Sequence, residues 1–521
     1  MTDYGFWALV PPLVAISLAM ITRHVHVSLF VGVLLGGVIV CNGNPATGFL
    51  TAGTWMIESI GNPFNAGIVV FTVILGGIIG VMQKSGGIQG FGSWAARKAK
   101  TRRGGQLIAW LLGIVIFFDD YFNTLTVGTV MRPVTDELHI SREKLAYITD
   151  STSAPVCIIS PISGWVGYII GILGVALAAA GIETNAYAAF MRSIPYNFYA
   201  VIAVGWVLII ALSSVEYGPM KTAERRALEE RKPIRDGAKP LVSKELSGMD
   251  AAKGARPHVL NLMLPIGVLI TSAIFFLWLT GHEPGYGFKN ALFSSDPSRA
   301  LVYATLTTLI YCAFLYSVQR IMPLREFIEA MLSGFKAMVP ALVILVLAWS
   351  IGAAVGELGL ADFVVDAVAP LLSEAWIPLA VFLVSCFAAF ATGTSWGTFA
   401  IMLPISVPLA HAFSPALVFP TIAATLGGAV FGDHCSPISD TTIISSMASH
   451  SDHIDHVKTQ IPYALTCAAI ACAAYVAVGY SGNAWAGWTV SAVLTLAVFL
   501  IARGRKRSRS GQKCAKTGIT E

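Results

Sequence analysis

The chain is a succession of apolar runs about as long as a lipid bilayer is thick, and few architectures tolerate that. Runs of spanning length lie at about 4–22, 26–41, 66–83, 144–180, 196–215, 258–280, 298–318, 336–355, 415–447, 460–480 and 484–502. Inside hydrocarbon a backbone must satisfy its own hydrogen bonds, which leaves helices or closed barrels, and these runs are helix-sized. Only 12% of the 521 residues are charged, about half the share usual in soluble domains. The expected fold is an all-α polytopic membrane protein.

Two further apolar regions, 106–138 and 376–412, are broken near the middle by polar residues. The first break carries Asp119, Asp120, Asn123 and Thr124, the second Thr392, Gly393, Thr394 and Ser395. Each region is either one long broken span or a re-entrant hairpin, and charge placement separates the two. Segment 84–103 holds six Lys or Arg and no acid, the linker 216–257 has ten basic and seven acidic residues, and Arg503–Lys516 has seven basic ones. Basic loops face the cytoplasm. All three fall on one side only if both broken regions are hairpins, which also places 356–375, with four acids and no Lys or Arg, outside. The count is then about 11 transmembrane helices, amino terminus out and carboxyl terminus in, plus two re-entrant hairpins. Irregular tips survive at membrane depth only when buried in protein or lining water, so both tips belong to a site.

Short repeats run through the two halves. Gly87-Ile88-Gln89-Gly90-Phe91 echoes Gly359-Leu360-Ala361-Asp362-Phe363, and Met131-Arg132-Pro133 echoes Met402-Leu403-Pro404. Ser160-Pro161-Ile162-Ser163 returns as Ser436-Pro437-Ile438-Ser439, and amphipathic stretches at 45–60 and 322–334 correspond. Each half then has five crossings and one hairpin, and the odd number inverts the second half. Inverted repeats whose broken helices meet at the midplane are a layout of secondary transporters. The expected divisions begin with a first repeat over 1–215, containing the hairpin 106–138 and a broken helix at 144–180. A charged cytoplasmic linker follows at 216–257, whose Ala223 to Arg231 part reads as a solvated helix. A second repeat covers 258–480, with the hairpin 376–412 and a broken helix at 415–447, and an extra helix with a basic tail fills 481–521.

The densest polar block is Phe431-Gly432-Asp433-His434-Cys435-Ser436-Pro437-Ile438-Ser439-Asp440-Thr441-Thr442. A charged side chain at this depth is costly and normally faces a cavity or a partner. Pro437 and Gly432 argue against an unbroken helix. Freed carbonyls beside carboxylates and hydroxyls make an all-oxygen environment suited to a hard cation, and the alternative is a structural polar knot. Thr149-Asp150-Ser151-Thr152-Ser153-Ala154-Pro155 repeats this chemistry in the first half, with a surface helix cap as the alternative role for Asp150. Adjacent Asp119 and Asp120 cannot both point the same way, so one faces the site and one a backbone amide, unless both merely cap half-helices. A desolvated carboxylate crowded by a like charge can hold a proton or a sodium ion, and that competition is the simplest route to exchange. The second tip has no carboxylate. Its hydroxyls and carbonyls could coordinate a cation, or helix N-termini there could hold an anionic group.

The remaining features bound the reading. His434 is either a proton relay or a satisfied hydrogen-bonding histidine, and Cys435 is packing. His450, His453 and His456 read as a solvated cytoplasmic loop, with metal binding or pH sensing as the functional alternative. Arg132 is a boundary residue or, for an organic anion, a contact. Eight scattered Cys show no zinc spacing, so neither a transition-metal site nor a cofactor is expected. The net charge of +5 sits in loops and tail, giving no reason to expect nucleic acid, and the tail faces anionic inner-leaflet lipid. No cleavable signal peptide is expected, the first span serving as its own targeting signal. Nothing resembles a nucleophile–base pair or a selectivity-filter repeat, which argues against an enzyme and a channel.

With these residues in view, the chain resembles the NhaC family of sodium/proton antiporters, within the wider ion-transporter superfamily. Gly432 to Thr442 is similar to that family's most recognisable motif, as are Phe118-Asp119-Asp120-Tyr121, Met131-Arg132-Pro133 and Asp150-Ser151-Thr152, and the likeness covers about 66 to 480. The resemblance implies a multi-pass bacterial carrier of the inner (cytoplasmic) membrane, exchanging sodium for protons, frequently as a homodimer and by elevator-like movement. It also admits relatives that move organic acids or amino acids with sodium or protons.

Secondary active sodium/proton exchange at midplane carboxylates is therefore the leading expectation. Coupled transport of a small organic anion or amino acid is the alternative. The ion- and proton-binding candidates are Asp433 and Asp440, then Asp120, Asp119 and Asp150, with neutral oxygens from Asn123, Ser436, Ser439 and Thr441. Further contacts are expected from Thr392, Gly393, Thr394, Ser395, Ser151, Thr152 and His434.

Overall fold

Apolar runs become helices because a helix leaves few backbone groups for lipid to satisfy. A computed structural model describes residues 4–22, 24–240, 258–284, 287–288, 291, 294–359, 363, 373–437 and 439–516. Among these, ten helical stretches are long and apolar enough to cross a membrane, and the β-structure is one isolated bridge between Pro240 and Asp452. The protein is an all-α polytopic membrane protein.

The first half opens with α1 (Val10–Thr22), α2 (Val25–Val40), α3 (Pro45–Gly61), α4 (Pro63–Lys84) and α5 (Gly87–Lys98). The first polar break separates α6 (Arg102–Val115) from α7 (Asp120–Glu137). The broken span that follows is α8 (Arg142–Ser151), a single turn α9 (Ala154–Cys157) and α10 (Gly164–Ala179), then α11 (Ala186–Ser193) and α12 (Phe198–Ser213). The linker carries α13 (Gly218–Glu229). The second half runs through α14 (Leu260–Gly281), α15 (Pro297–Val318), α16 (Leu324–Ala337) and α17 (Val339–Glu357). It continues through α18 (Ile377–Thr392), α19 (Ser395–Phe413), α20 (Val418–Cys435), α21 (Asp440–Ala448), α22 (His453–Ser481) and α23 (Ala484–Lys516).

Each break has a local cause. Asp119 caps α7 by accepting from the Phe122 amide at 2.7 Å, and Ser141, Ser163, Ser439 and Asp452 cap α8, α10, α21 and α22 in the same way. Helix α18 stops on Gly393 at φ +70°, a left-handed C-cap that glycine adopts without strain. Gly432 does not unwind α20, contrary to expectation. The helix runs through it to Cys435, and a Cβ there would meet the Cys386 carbonyl oxygen at 2.3 Å, so this glycine lets α20 lie against α18. Pro437 and the Ser439 cap make the break.

Packing brings the broken elements together. Helix α10 lies against α19 and α17, α21 against α7 and α8, and α22 against α8 and α20. Helices α15 and α16 each pack on α4, and α1, α2 and α3 pack in sequence with α17. The expected amphipathic stretches are α3 and α16. Leu360, Ala361 and Asp362 of the expected repeat, and residues 241–257 of the linker, lie outside the described residues.

The linker departs from the solvated helix expected of it. Helix α13 buries Met220, Ala223, Glu224 and Ala227. Arg226 meets Glu143 at 2.9 Å, Glu224 takes Arg102 at 2.7 Å and the Ser141 amide at 2.8 Å, and Glu216 takes Lys144 at 2.7 Å. Arg225 and Glu229, four residues apart, are exposed and 4.0 Å from each other. Charges on one face of α13 thus match charges at the starts of α6 and α8, and that match docks it. It also gathers Arg102 of the basic segment 84–103, the linker and the start of α22 on one face.

Candidate ion-binding site

Asp433, in the last turn of α20, faces the start of α19. Its Oδ2 accepts from the Ser395 hydroxyl at 2.6 Å and the Ser395 amide at 3.3 Å, and its Oδ1 from the Ser439 hydroxyl. The partial positive charge of a helix N-terminus suits a carboxylate. An anion of the protein itself therefore occupies the tip that could have received an anionic substrate. Ser439 also caps α21 and lies 3.1 Å from the Thr441 hydroxyl.

Asp150, at the end of α8, is 1% exposed. Its Oδ2 accepts from Thr442 Oγ1 at 3.1 Å and Gln460 Nε2 at 2.6 Å, with His456 Nε2 at 3.9 Å. That burial overturns the surface-cap alternative. Gln460 also donates to the His434 carbonyl, at the carboxyl end of α20. Both ring nitrogens of His434 are hydrogen-bonded, to Ser151 Oγ at 2.9 Å and Tyr199 Oη at 2.8 Å.

At the first tip, Asp119 turns to the Phe122 amide and Asp120 turns inward. Asp120 is 1% exposed, and its Oδ1 accepts from Trp165 Nε1 at 2.9 Å. Its Oδ2 is buried and, among the described residues, has no partner. The amide nitrogen of Asn123 shares its two N–H groups among three carbonyls, of Gly113, Ile116 and Thr152, at 2.7, 2.8 and 2.9 Å, which pins α6, α7 and α8 together. Its Oδ1 is buried without a partner among the described residues. Asp433 lies within electrostatic reach of both Asp120 and Asp150. No Lys or Arg among the described residues comes within ion-pair distance of Asp119, Asp120 or Asp150.

A model of the Na+/H+ antiporter family matches residues 156–480, more than half of the chain. The chain belongs to the Na+/H+ antiporter family. A Haemophilus influenzae protein described as uncharacterized is 34% identical over 514 residues, 96% of each chain. The malate-2H+/Na+-lactate antiporter of Bacillus subtilis is 32% identical over 103 residues, 20% of this chain and 22% of that one. The crystal structure of the YdaH transporter of Alcanivorax borkumensis shares the fold, with a TM-score of 0.50 at 13% identity, over 80% of this chain and 87% of that one. As an antiporter-family member the protein is a multi-pass secondary transporter rather than an enzyme.

Not every sequence candidate joins this family member's polar cluster. Ser395, Ser439, Asp433, Asp120, Asp150, Ser151, His434 and Thr441 do. Thr392 and Thr152 return their hydroxyls to their own helices at Ala388 and Ile148, and Ser436 gives its hydroxyl to the Phe390 carbonyl. Gly393 is the turn itself, and Thr394 is the half-buried N-cap of α19. Asp440 opens α21, and its side chain lies outside the described residues. The histidine patch is not a solvated loop. His456 is fully buried between Gln460 at 2.7 Å and Ser446 at 2.9 Å, and His453 spans Ser446 and the Pro437 carbonyl. Trp165, Tyr199 and Gln460 were not among the sequence candidates. The one local signal is Gln460 and His456 at four-residue spacing, two polar groups on one face near the start of α22.

Proposed function

We propose that the protein exchanges sodium for protons in the bacterial inner membrane, the two competing for Asp120, Asp433 and Asp150. The observation that carries this is the buried Oδ2 of Asp120, which among the described residues has no hydrogen-bond partner and no Lys or Arg at ion-pair distance, and which lies within reach of Asp433. A buried carboxylate needs its charge compensated. Where the protein supplies only neutral donors, a proton or a small cation completes the site, and one excludes the other. Inverted repeats and a homodimer belong to the same proposal.

Asp433→Asn removes one of these charges while keeping a hydrogen-bond acceptor for Ser395. Sodium-driven proton flux in proteoliposomes should vanish with membrane insertion unchanged, and full flux would refute the assignment. The alternative cargo, a small organic anion, is favoured by the partial match to a malate/lactate carrier and by a cavity of about 840 Å³. Phe64, Asn65, Asn185, Arg299 and Glu357 are among its lining residues. Against it, the α19 N-terminus already holds Asp433, and Arg299 is paired with Asp296 at 3.2 Å. Proton flux driven by sodium alone, with no organic solute present, decides for ion exchange. Its absence, together with uptake of a labelled carboxylate, decides for the carrier.

A further inference from the structure

We infer that Trp165 is a positioning residue linking the two polar tips: its indole N–H aims Asp120 at the ion, and its ring passes the state of that carboxylate to Ser395 and Asp433. The inference rests on the proposed carboxylate site and names the part that couples its halves.

The geometry is specific. Tryptophan in membrane proteins concentrates at the interfaces, yet Trp165 is 1% exposed. A buried indole N–H needs an acceptor. It finds Asp120 Oδ1 at 2.9 Å, a bond strengthened by the acceptor's charge, and this leaves Oδ2 as the open oxygen. The same ring meets Trp396 edge-on at 5.8 Å and Phe399 at 5.5 Å, both on α19. One turn further along α10, Tyr168 donates to the Trp396 carbonyl at 2.9 Å and packs on its ring at 4.4 Å. Trp396 directly follows Ser395, whose hydroxyl and amide hold Asp433. One face of α10 thus grips both tips, and a contiguous chain runs from Asp120 through Trp165, Trp396 and Ser395 to Asp433. Neutralising Asp120 weakens the Trp165 bond and frees the ring to shift against Trp396. Packed aromatic contacts of this kind switch between discrete arrangements rather than deforming smoothly.

Trp165→Phe keeps an aromatic ring and deletes the donor. By analogy with outer-shell partners of metal ligands, it should raise the sodium KM about 10- to 100-fold, with a much smaller change in kcat. An unchanged KM, or a fall in kcat alone, overturns the positioning role. A second measurement does not depend on cargo. With 5-fluorotryptophan incorporated and the signals assigned from Trp165→Phe and Trp396→Phe, Asp120→Asn should shift the 19F resonances of both residues in ion-free detergent solution. If Trp165 moves and Trp396 does not, or if neither moves, the coupling is refuted. If both move but sodium drives no proton flux in the native protein, the exchange reading fails and the coupling stands.

Discussion

The two ends of α8 handle buried charge in opposite ways. At its start Glu143 is bound by Arg226 at 2.9 Å and Lys144 by Glu216 at 2.7 Å, with all four side chains largely withdrawn from solvent. Two turns on, roughly 10 Å along the axis, Asp150 is held by an amide and a hydroxyl and, among the described residues, by no Lys or Arg. A fixed cation neutralises a carboxylate permanently and makes it structure. Neutral donors fix its direction and, in the proposed mechanism, leave its charge to a mobile ion. One short helix thus joins a static lock at one end to the proposed exchange site at the other.

The sharpest way to break this contrast is to give the deep end what the other end has. Gln460→Lys places a permanent cation beside Asp150, and sodium-driven proton flux should fall about 100-fold or more, equivalent to about 2.7 kcal/mol. Thermal unfolding should show a protein at least as stable as the parent. Retained exchange would mean that Asp150 belongs to the scaffold.

The converse change attacks the lock. Arg226→Ala strands Glu143 in a buried position, and breaking such a pair from one side costs about 3–5 kcal/mol. The expected outcome is a marked fall in Tm, with the sodium KM of the surviving folded protein unchanged. Replacing both partners by methionine should recover most of the stability, because well-packed apolar groups substitute for a buried pair. A double variant as unstable as Arg226→Ala would show that α13 docks through its apolar face alone.

These outcomes also indicate what the sequence could and could not reveal. Helix class and breaks were legible because they are local: Asp119, Ser439 and Gly393 each end or begin a helix by contacts within a few residues. The pairing at depth was not. Gln460 reaches Asp150 across 310 residues, and His434 reaches Tyr199 across 235, so no spacing rule exposes either. Trp165 reads in the sequence as one more apolar residue of a long run. The linker differs for a related reason. The sequence reads α13 as a solvated helix, whereas Arg226 and Glu224 find partners on α8 and α6. Carboxylates at depth are easy to notice as anomalies and hard to rank: Asp433 and Asp440 head the sequence candidates, and among the described residues Asp120 carries a buried carboxylate oxygen without a partner.

A smaller effect separates the hydroxyl donors from the charge itself. Ser439→Ala removes one O–H from Asp433 together with the cap of α21. Each interaction is typically worth about 1 kcal/mol. The sodium KM should rise a few-fold while exchange persists. Complete loss would move Ser439 from supporting donor to direct ligand.

The smallest expected effect concerns the outer part of the lock and bears on pH. Asp452 accepts from the Lys239 amide at 2.9 Å and lies 3.5 Å from Arg235, which also pairs with Asp455. Burial alone would raise the Asp452 pKa. The amides of Lys239, Asp455 and Ile454, with the Arg235 guanidinium, outweigh that and hold it below its ordinary value of 3.8. A depressed carboxylate contributes stability above its unfolded pKa and loses it only as the pH falls through the lower folded value. Between about pH 5 and 8 Asp452 therefore does not titrate, and it contributes nothing to any pH dependence of exchange in that window. Asp452→Asn should then leave the shape of the flux–pH profile unchanged while modestly quickening tryptic cleavage after Arg235. A shifted profile would mean that the clamp gates the site, and the two ends of α8 would no longer be independent.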